Sequence, residues 1–99
     1  MLLIRDVFHC KPGKVRPLVE KFVAMKKLGE TKGLSNMRVL TDLSGERFWT
    51  LVSEFEVPSL EAFMAMGQDP EEMKEFEAIM KGYHDLVESG RREIYTVEG

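Results

Sequence analysis

A single cysteine, Cys10, cannot close an internal disulfide, and without a second thiol the chain has no redox or metal-binding cysteine pair. The two histidines, His9 and His84, stand at no metal-ligand spacing from another His, Cys or paired carboxylate, so neither a metal nor a cofactor is expected. Long apolar runs are missing too. Met1-Leu2-Leu3-Ile4 is broken at once by Arg5 and Asp6, too short for a signal-peptide core or a membrane span, and the expected location is cytoplasmic. The basic stretch holding Lys14, Arg16, Lys21, Lys26, Lys27 and Lys32 lacks the repeated aromatic interleaving of a nucleic-acid surface. It reads instead as the solvated face of one helix, with Glu71, Glu72, Glu75 and Glu77 forming the face of another.

What is present fits one domain, residues 1–99. With 43% hydrophobic and 31% charged residues, 99 positions are near the lower end of what buries a core unaided, so association is expected. The net charge of −3 is split unevenly. Through Thr50, ten Lys or Arg stand against five Asp or Glu; from Leu51 onward, four stand against twelve.

Residues 2–10 read as a strand, with Leu2, Leu3, Ile4, Val7 and Phe8 apolar on both parities, and Pro12-Gly13 ends it. Val15, Leu18, Val19, Phe22, Val23 and Leu28 recur at helical spacing; Pro17 is tolerable in the first turn, and Gly33 terminates after Lys32. Residues 34–41 and 47–56 read as a hairpin about Asp42-Leu43-Ser44-Gly45. Its second strand carries Trp49, Leu51 and Phe55 on one parity and Phe48, Thr50 and Val52 on the other. Ser59 caps a short helix that Gly67 stops. Asp69 caps a second, with Pro70 at its first position and a stripe of Met73, Phe76, Ile79, Met80, Tyr83 and Val87. Ser89-Gly90 should end it, and residues 92–97 supply the last strand.

The order predicts an α+β, ferredoxin-like βαββαβ fold, a four-stranded antiparallel sheet with its helices on one face. Strands apolar on both parities leave an open face that needs covering, and a second copy is its simplest cover, so a homodimer through the sheet is expected.

The turn Lys11-Pro12-Gly13-Lys14, the hairpin, and Phe55-Glu56-Val57-Pro58-Ser59-Leu60-Glu61-Ala62-Phe63 followed by Asp69-Pro70 resemble the dimeric α+β-barrel superfamily, particularly its NIPSNAP-like and antibiotic-biosynthesis-monooxygenase-like branch. The resemblance covers nearly the whole chain. It implies two sheets closing a barrel and a ligand pocket between sheet and helices in each subunit. Oxidation or isomerisation of a small apolar or aromatic molecule without a cofactor is the chemistry it suggests; a non-catalytic protein-interaction module is the alternative. Haem-degrading members carry Asn, Trp and His where this chain has Asp6, Met66 and roughly Phe76, and oxygenase-like members often carry His where it has Phe63. Their catalytic sets are therefore not carried over.

Asp6 interrupts an apolar strand on the parity of Ile4 and Phe8, so its carboxylate must be paired, hydrated or shifted in pKa. It is a candidate general base or ligand anchor; a salt bridge to Arg38 or Arg92 is the plain structural alternative. His84 is the second catalytic candidate, against a structural role late in a helix. Trp49, Met64, Met66, Phe76 and Met80 are the candidate ligand-pocket residues, a large flat ring with adaptable thioethers, against ordinary core packing.

Overall fold

The computed structural model describes residues 1–34 and 36–99. Its elements are β1 (Leu2–Cys10), α1 (Val15–Thr31), β2 (Arg38–Thr41), β3 (Thr50–Val57), α2 (Leu60–Ala65), α3 (Pro70–Met80), a single 3-10 turn (Tyr83–Asp85) and β4 (Val87–Thr96). The strands form one antiparallel sheet in the order β2-β3-β1-β4. This is the βαββαβ arrangement that the alternation of periods predicts.

Register decides which side chains meet the helices. Phe8 stands opposite Leu51, and Ile4 opposite Phe55. This parity turns inward: Cys10 and Leu51 join Leu18 and Phe22 of α1 and Met80 of α3 in the core, and the Phe8 and Phe22 rings lie 5.2 Å apart. Local chemistry sets the helix starts. The Ser59 hydroxyl accepts the Ala62 N–H at 3.1 Å and the Asp69 carboxylate accepts that of Glu71 at 2.9 Å, each satisfying a donor the first turn leaves free.

Four expectations are corrected. The last helix does not run on through Tyr83 and Val87: α3 stops at Met80, because Lys81 is extended and Gly82 sits at φ +83°, a left-handed conformation that turns the chain. Tyr83 and Val87 still pack on the core, which is why they share the apolar stripe, but they do so from the turn and from β4. β4 accordingly starts at Val87 rather than at residue 92, with Ser89 and Gly90 inside it. β3 starts at Thr50, not at residue 47. Trp49 has φ +61°, its carbonyl accepting the Cys10 N–H at 2.8 Å, so the strand alternation does not extend to Phe48 and Trp49. β2 starts at Arg38 rather than Leu34, and the expected earlier part of that strand includes Ser35, which lies outside the described residues.

The open face also differs from an apolar surface. Leu3, Val7, Val52 and Leu40 share it with Arg5, His9, Arg38, Glu54, Arg91 and Glu93, according to the registers. Val7, between Val52 and Arg91 in the register, is 3% exposed in the single chain.

Candidate functional site

The β1–β4 pairing builds a cleft on the helix side of the sheet. Gly90 lies opposite Phe8, and a Cβ there would come within 3.1 Å of the Phe8 ring and 3.3 Å of the Val7 carbonyl oxygen. Without a side chain, Gly90 leaves a floor beside the Phe8 ring. Two residues along, Arg92 stands opposite Asp6, its Nε donating to Oδ1 at 2.7 Å and its Nη2 to Oδ2 at 3.1 Å. The Arg92 guanidinium also lies 5.0 Å from the centre of the Phe63 ring of α2. Hydrogen bonding to Asp6 is the main cause that pushes the Arg92 guanidinium above its ordinary value. The turn after Gly82 supplies the facing wall, where the Tyr83 and His84 rings lie 4.1 Å apart. Apart from Phe63, these groups line, with residues 87–89 and Arg91, an open cleft of about 500 Å³.

Asp6 and His84, the two candidates for proton chemistry, thus line one cleft. Of the two salt bridges considered for Asp6, the one with Arg92 forms. The five candidate pocket residues do not join them. Trp49 lines a separate cleft of about 340 Å³ with Phe48, Val15, Arg16, Thr41 and Asp42. Met64, Met66 and Phe76 are exposed, and Met80 is buried in the core. Phe8, Tyr83 and Gly90 join the site without a chemical signal in the sequence, and Arg92 joins it as the partner of Asp6. A glycine within a strand pattern marks a close approach, which is the sequence signal for Gly90 once β4 begins at Val87. Cys10 is buried in the core, and that burial pushes its thiol up, away from the thiolate a nucleophile needs. Among the described residues no group of three or more His, Cys, Asp and Glu is arranged to hold a metal ion. Nor is any described helix long and apolar enough to cross a membrane.

His9 lies on the other face of the sheet. Its Nδ1 is 3.4 Å from Thr50 Oγ1, whose own hydroxyl donates to the Arg47 carbonyl, and its Nε2 is 3.4 Å from Arg91 Nη1. Nδ1 is therefore the donor and Nε2 the acceptor, the neutral imidazole. Burial, then the charges of Arg47 and Arg91, lower its pKa below the ordinary 6.5 against the opposing pull of Glu46 and Glu88. Between that lowered value and 6.5 the unfolded chain binds a proton that the folded chain does not. The stabilisation from neutral His9 is thus complete above the unfolded pKa, falls as pH drops through 6.5, and levels off below the folded value. Urea midpoints measured from pH 7.5 to 5 should fall, and His9→Gln should remove part of that fall; an unchanged pH profile would exclude His9 as a contributor.

No family model matches this sequence, and no curated protein does. Solved structures do match over the full length. An uncharacterised NIPSNAP domain protein from Burkholderia xenovorans superposes with a TM-score of 0.73 at 17% identity, covering 98% of this chain and 94% of that one. A Deinococcus radiodurans protein provisionally described as an antibiotic biosynthesis monooxygenase gives 0.71 at 14% identity, covering 100% and 94%. Another structure described as an antibiotic biosynthesis monooxygenase gives 0.71 at 12%, covering 100% of both chains. The chain has the ferredoxin-like fold of these NIPSNAP and monooxygenase-like proteins, the branch its sequence resembles. At such identities the likeness speaks for the fold and not for the chemistry.

Proposed function

We propose that on this shared fold the chain works as a homodimer joined through the open sheet face. Each subunit binds a small organic molecule in the Asp6–His84 cleft. The molecule has an aromatic or apolar body to lie against Phe8 and Tyr83, and a polar substituent to reach the Asp6–Arg92 pair. The single observation that supports this reading is the meeting of two polar groups, Asp6 and His84, with aromatic walls in one cleft. An imidazole such as that of His84 can relay a proton during isomerisation of such a molecule or its oxidation by dioxygen as the electron acceptor, whereas both oxygens of Asp6 are engaged by Arg92. Asp6 accordingly serves as an anchor that holds Arg92 in place. A second reading, a non-catalytic interaction module, draws on the fully exposed Leu43 and the largely exposed Phe48.

A thermal-shift screen of aromatic acids, phenols and polyketide-like compounds tests the first reading, with amide shifts at residues 83–92 as the positional readout. Asp6→Asn should keep the fold and weaken binding of a hit about tenfold, the scale of one charge-assisted hydrogen bond. Equal affinity in the two proteins would remove Asp6 from the site. A screen without hits, on a chain that remains dimeric, would favour the interaction module.

A further inference from the structure

One row of side chains on the open sheet face alternates in charge from edge to edge. The registers set Glu93 of β4 beside Arg5 of β1, Arg5 beside Glu54 of β3, and Glu54 beside Arg38 of β2. Arg38 hydrogen-bonds the buried Glu54. Arg5 Nε lies 3.9 Å from Glu93 Oε1 and, though buried, finds no hydrogen-bond partner among the described residues. Glu93 accepts instead from Arg91 Nε at 2.7 Å and from the Tyr95 hydroxyl at 2.9 Å. The Arg38 side chain at the edge is 69% exposed. The parallel neighbouring row reads Arg91, Val7, Val52, Leu40.

Two copies placed face to face are related by a two-fold axis lying in the interface, and the alternation distinguishes the choices. With the axis along the strands the row meets its own reverse. Glu93 then faces Arg38 of the partner subunit, Arg5 faces Glu54 of the partner subunit, and Val7 faces Val52 of the partner subunit. With the axis across the strands, the row either meets itself like charge on like charge, or slips one row and sets Arg5 and Glu54 against valines. The first sets like charges against each other and the second buries Arg5 and Glu54 against apolar side chains, and both are costly in a covered surface. Aligned sheets cross at about 30° and strands are ~4.8 Å apart, so the outermost charges are displaced by only about 4 Å, within the reach of Arg and Glu.

We propose that the Glu93–Arg5–Glu54–Arg38 row fixes how a second copy docks on this face, with the two-fold axis parallel to the strands so that β4 of one copy lies over β2 of the other. The inference rests on the homodimer proposed above. It adds the orientation and the residues that select a partner of the same kind, since complementary potentials set register and suppress wrong pairings.

Charge exchange tests it. Glu93→Arg and Arg38→Glu chains, each checked for folding by circular dichroism, are compared alone and mixed by sedimentation velocity, with one carrying a mass tag. Each alone should dimerise about a hundredfold more weakly, because it brings like charges together twice across the axis. The mixture should recover nearly wild-type association as a heterodimer. Should Arg38→Glu fail to fold with Glu54 left unpaired, Arg38→Gln added to the Glu93→Arg chain removes the repulsion and should restore most of its self-association. Variant dimers as strong as wild type, or weakened ones that neither the mixture nor Arg38→Gln rescues, overturn the role of the row. A Glu93→Arg chain that binds wild type more tightly than wild type binds itself overturns the orientation, because the proposed docking leaves that mixed dimer with one repulsive contact that the wild-type dimer lacks. A wild-type chain that stays monomeric overturns the underlying homodimer instead, so the two failures are distinguishable.

Discussion

Leu51→Ala should lower the unfolding free energy by about 2–5 kcal/mol, a large share of the roughly 5–15 kcal/mol that holds a small domain together. Leu51 is wholly inaccessible, stands opposite Phe8 in the register, and packs in the core with Leu18, Phe22 and Met80. Truncation removes the transfer free energy of the lost carbons and leaves a cavity bounded by α1, α3 and two paired strands, so little can relax into it. Leu43 is the internal control: the same residue type, fully exposed in the hairpin turn, where alanine should change stability by less than ~0.5 kcal/mol. Urea denaturation of the two variants and wild type, read as midpoints at equal slope, provides the comparison. A Leu51→Ala loss no greater than that of Leu43→Ala would mean that the helices do not cover this face of the sheet.

The same contrast explains how far the sequence could be read. The stripe of α1, the Ser59 and Asp69 caps, and β1 are local statements, each resting on residues within a turn or two of one another, and these elements stand where the spacing puts them. Tyr83 and Val87 show the opposite case. Their apolar spacing is real, because both pack on the core, but spacing cannot distinguish one continued helix from a turn and a strand that return to the same core. The left-handed Gly82 decides, and a lone glycine is a weak terminator to the eye. Trp49 is harder still. A bulky residue at positive φ breaks an alternation that the sequence displays without interruption.

The candidate site divides along the same line. Asp6 stands out in the sequence as a charge inside an apolar strand, and Arg38 and Arg92 are the arginines that neighbouring strands can bring to it. Which of them it meets is a matter of the β1–β4 register, a long-range fact. The cleft itself comes from that register and the turn at Gly82 together, so Phe8, Gly90 and Tyr83 belong to it only once β4 is known to begin at Val87. The open face follows the same rule. Leu3, Val7 and Val52 are apolar in sequence, but Arg5, Glu54 and Glu93 share their face, and single-strand parity does not reveal the charge row that cross-strand pairing assembles.

Gly90→Val should abolish ligand binding in the Asp6–His84 cleft while leaving a folded, weakened protein. The new Cβ alone would stand 3.1 Å from the Phe8 ring and 3.3 Å from the Val7 carbonyl oxygen. The ring cannot simply swing aside, because its far side packs on Phe22 at 5.2 Å between centres, and the carbonyl belongs to the β1 ladder. Something must shift by a few tenths of an ångström, and two γ-methyl groups then occupy the floor where a ligand would lie. Overpacking of this kind costs about 1–3 kcal/mol, less than the whole stability, and valine suits the strand that Gly90 occupies. Gly90→Ala brings the same Cβ without the methyl groups and should keep partial affinity. Each variant is titrated with a hit from the screen at a temperature where circular dichroism shows it folded, and its stability is measured separately by urea. Wild-type affinity in folded Gly90→Val would move the binding site away from Phe8 and Gly90. Loss of affinity in proportion to the volume added, with Leu43→Ala unaffected, would locate it there.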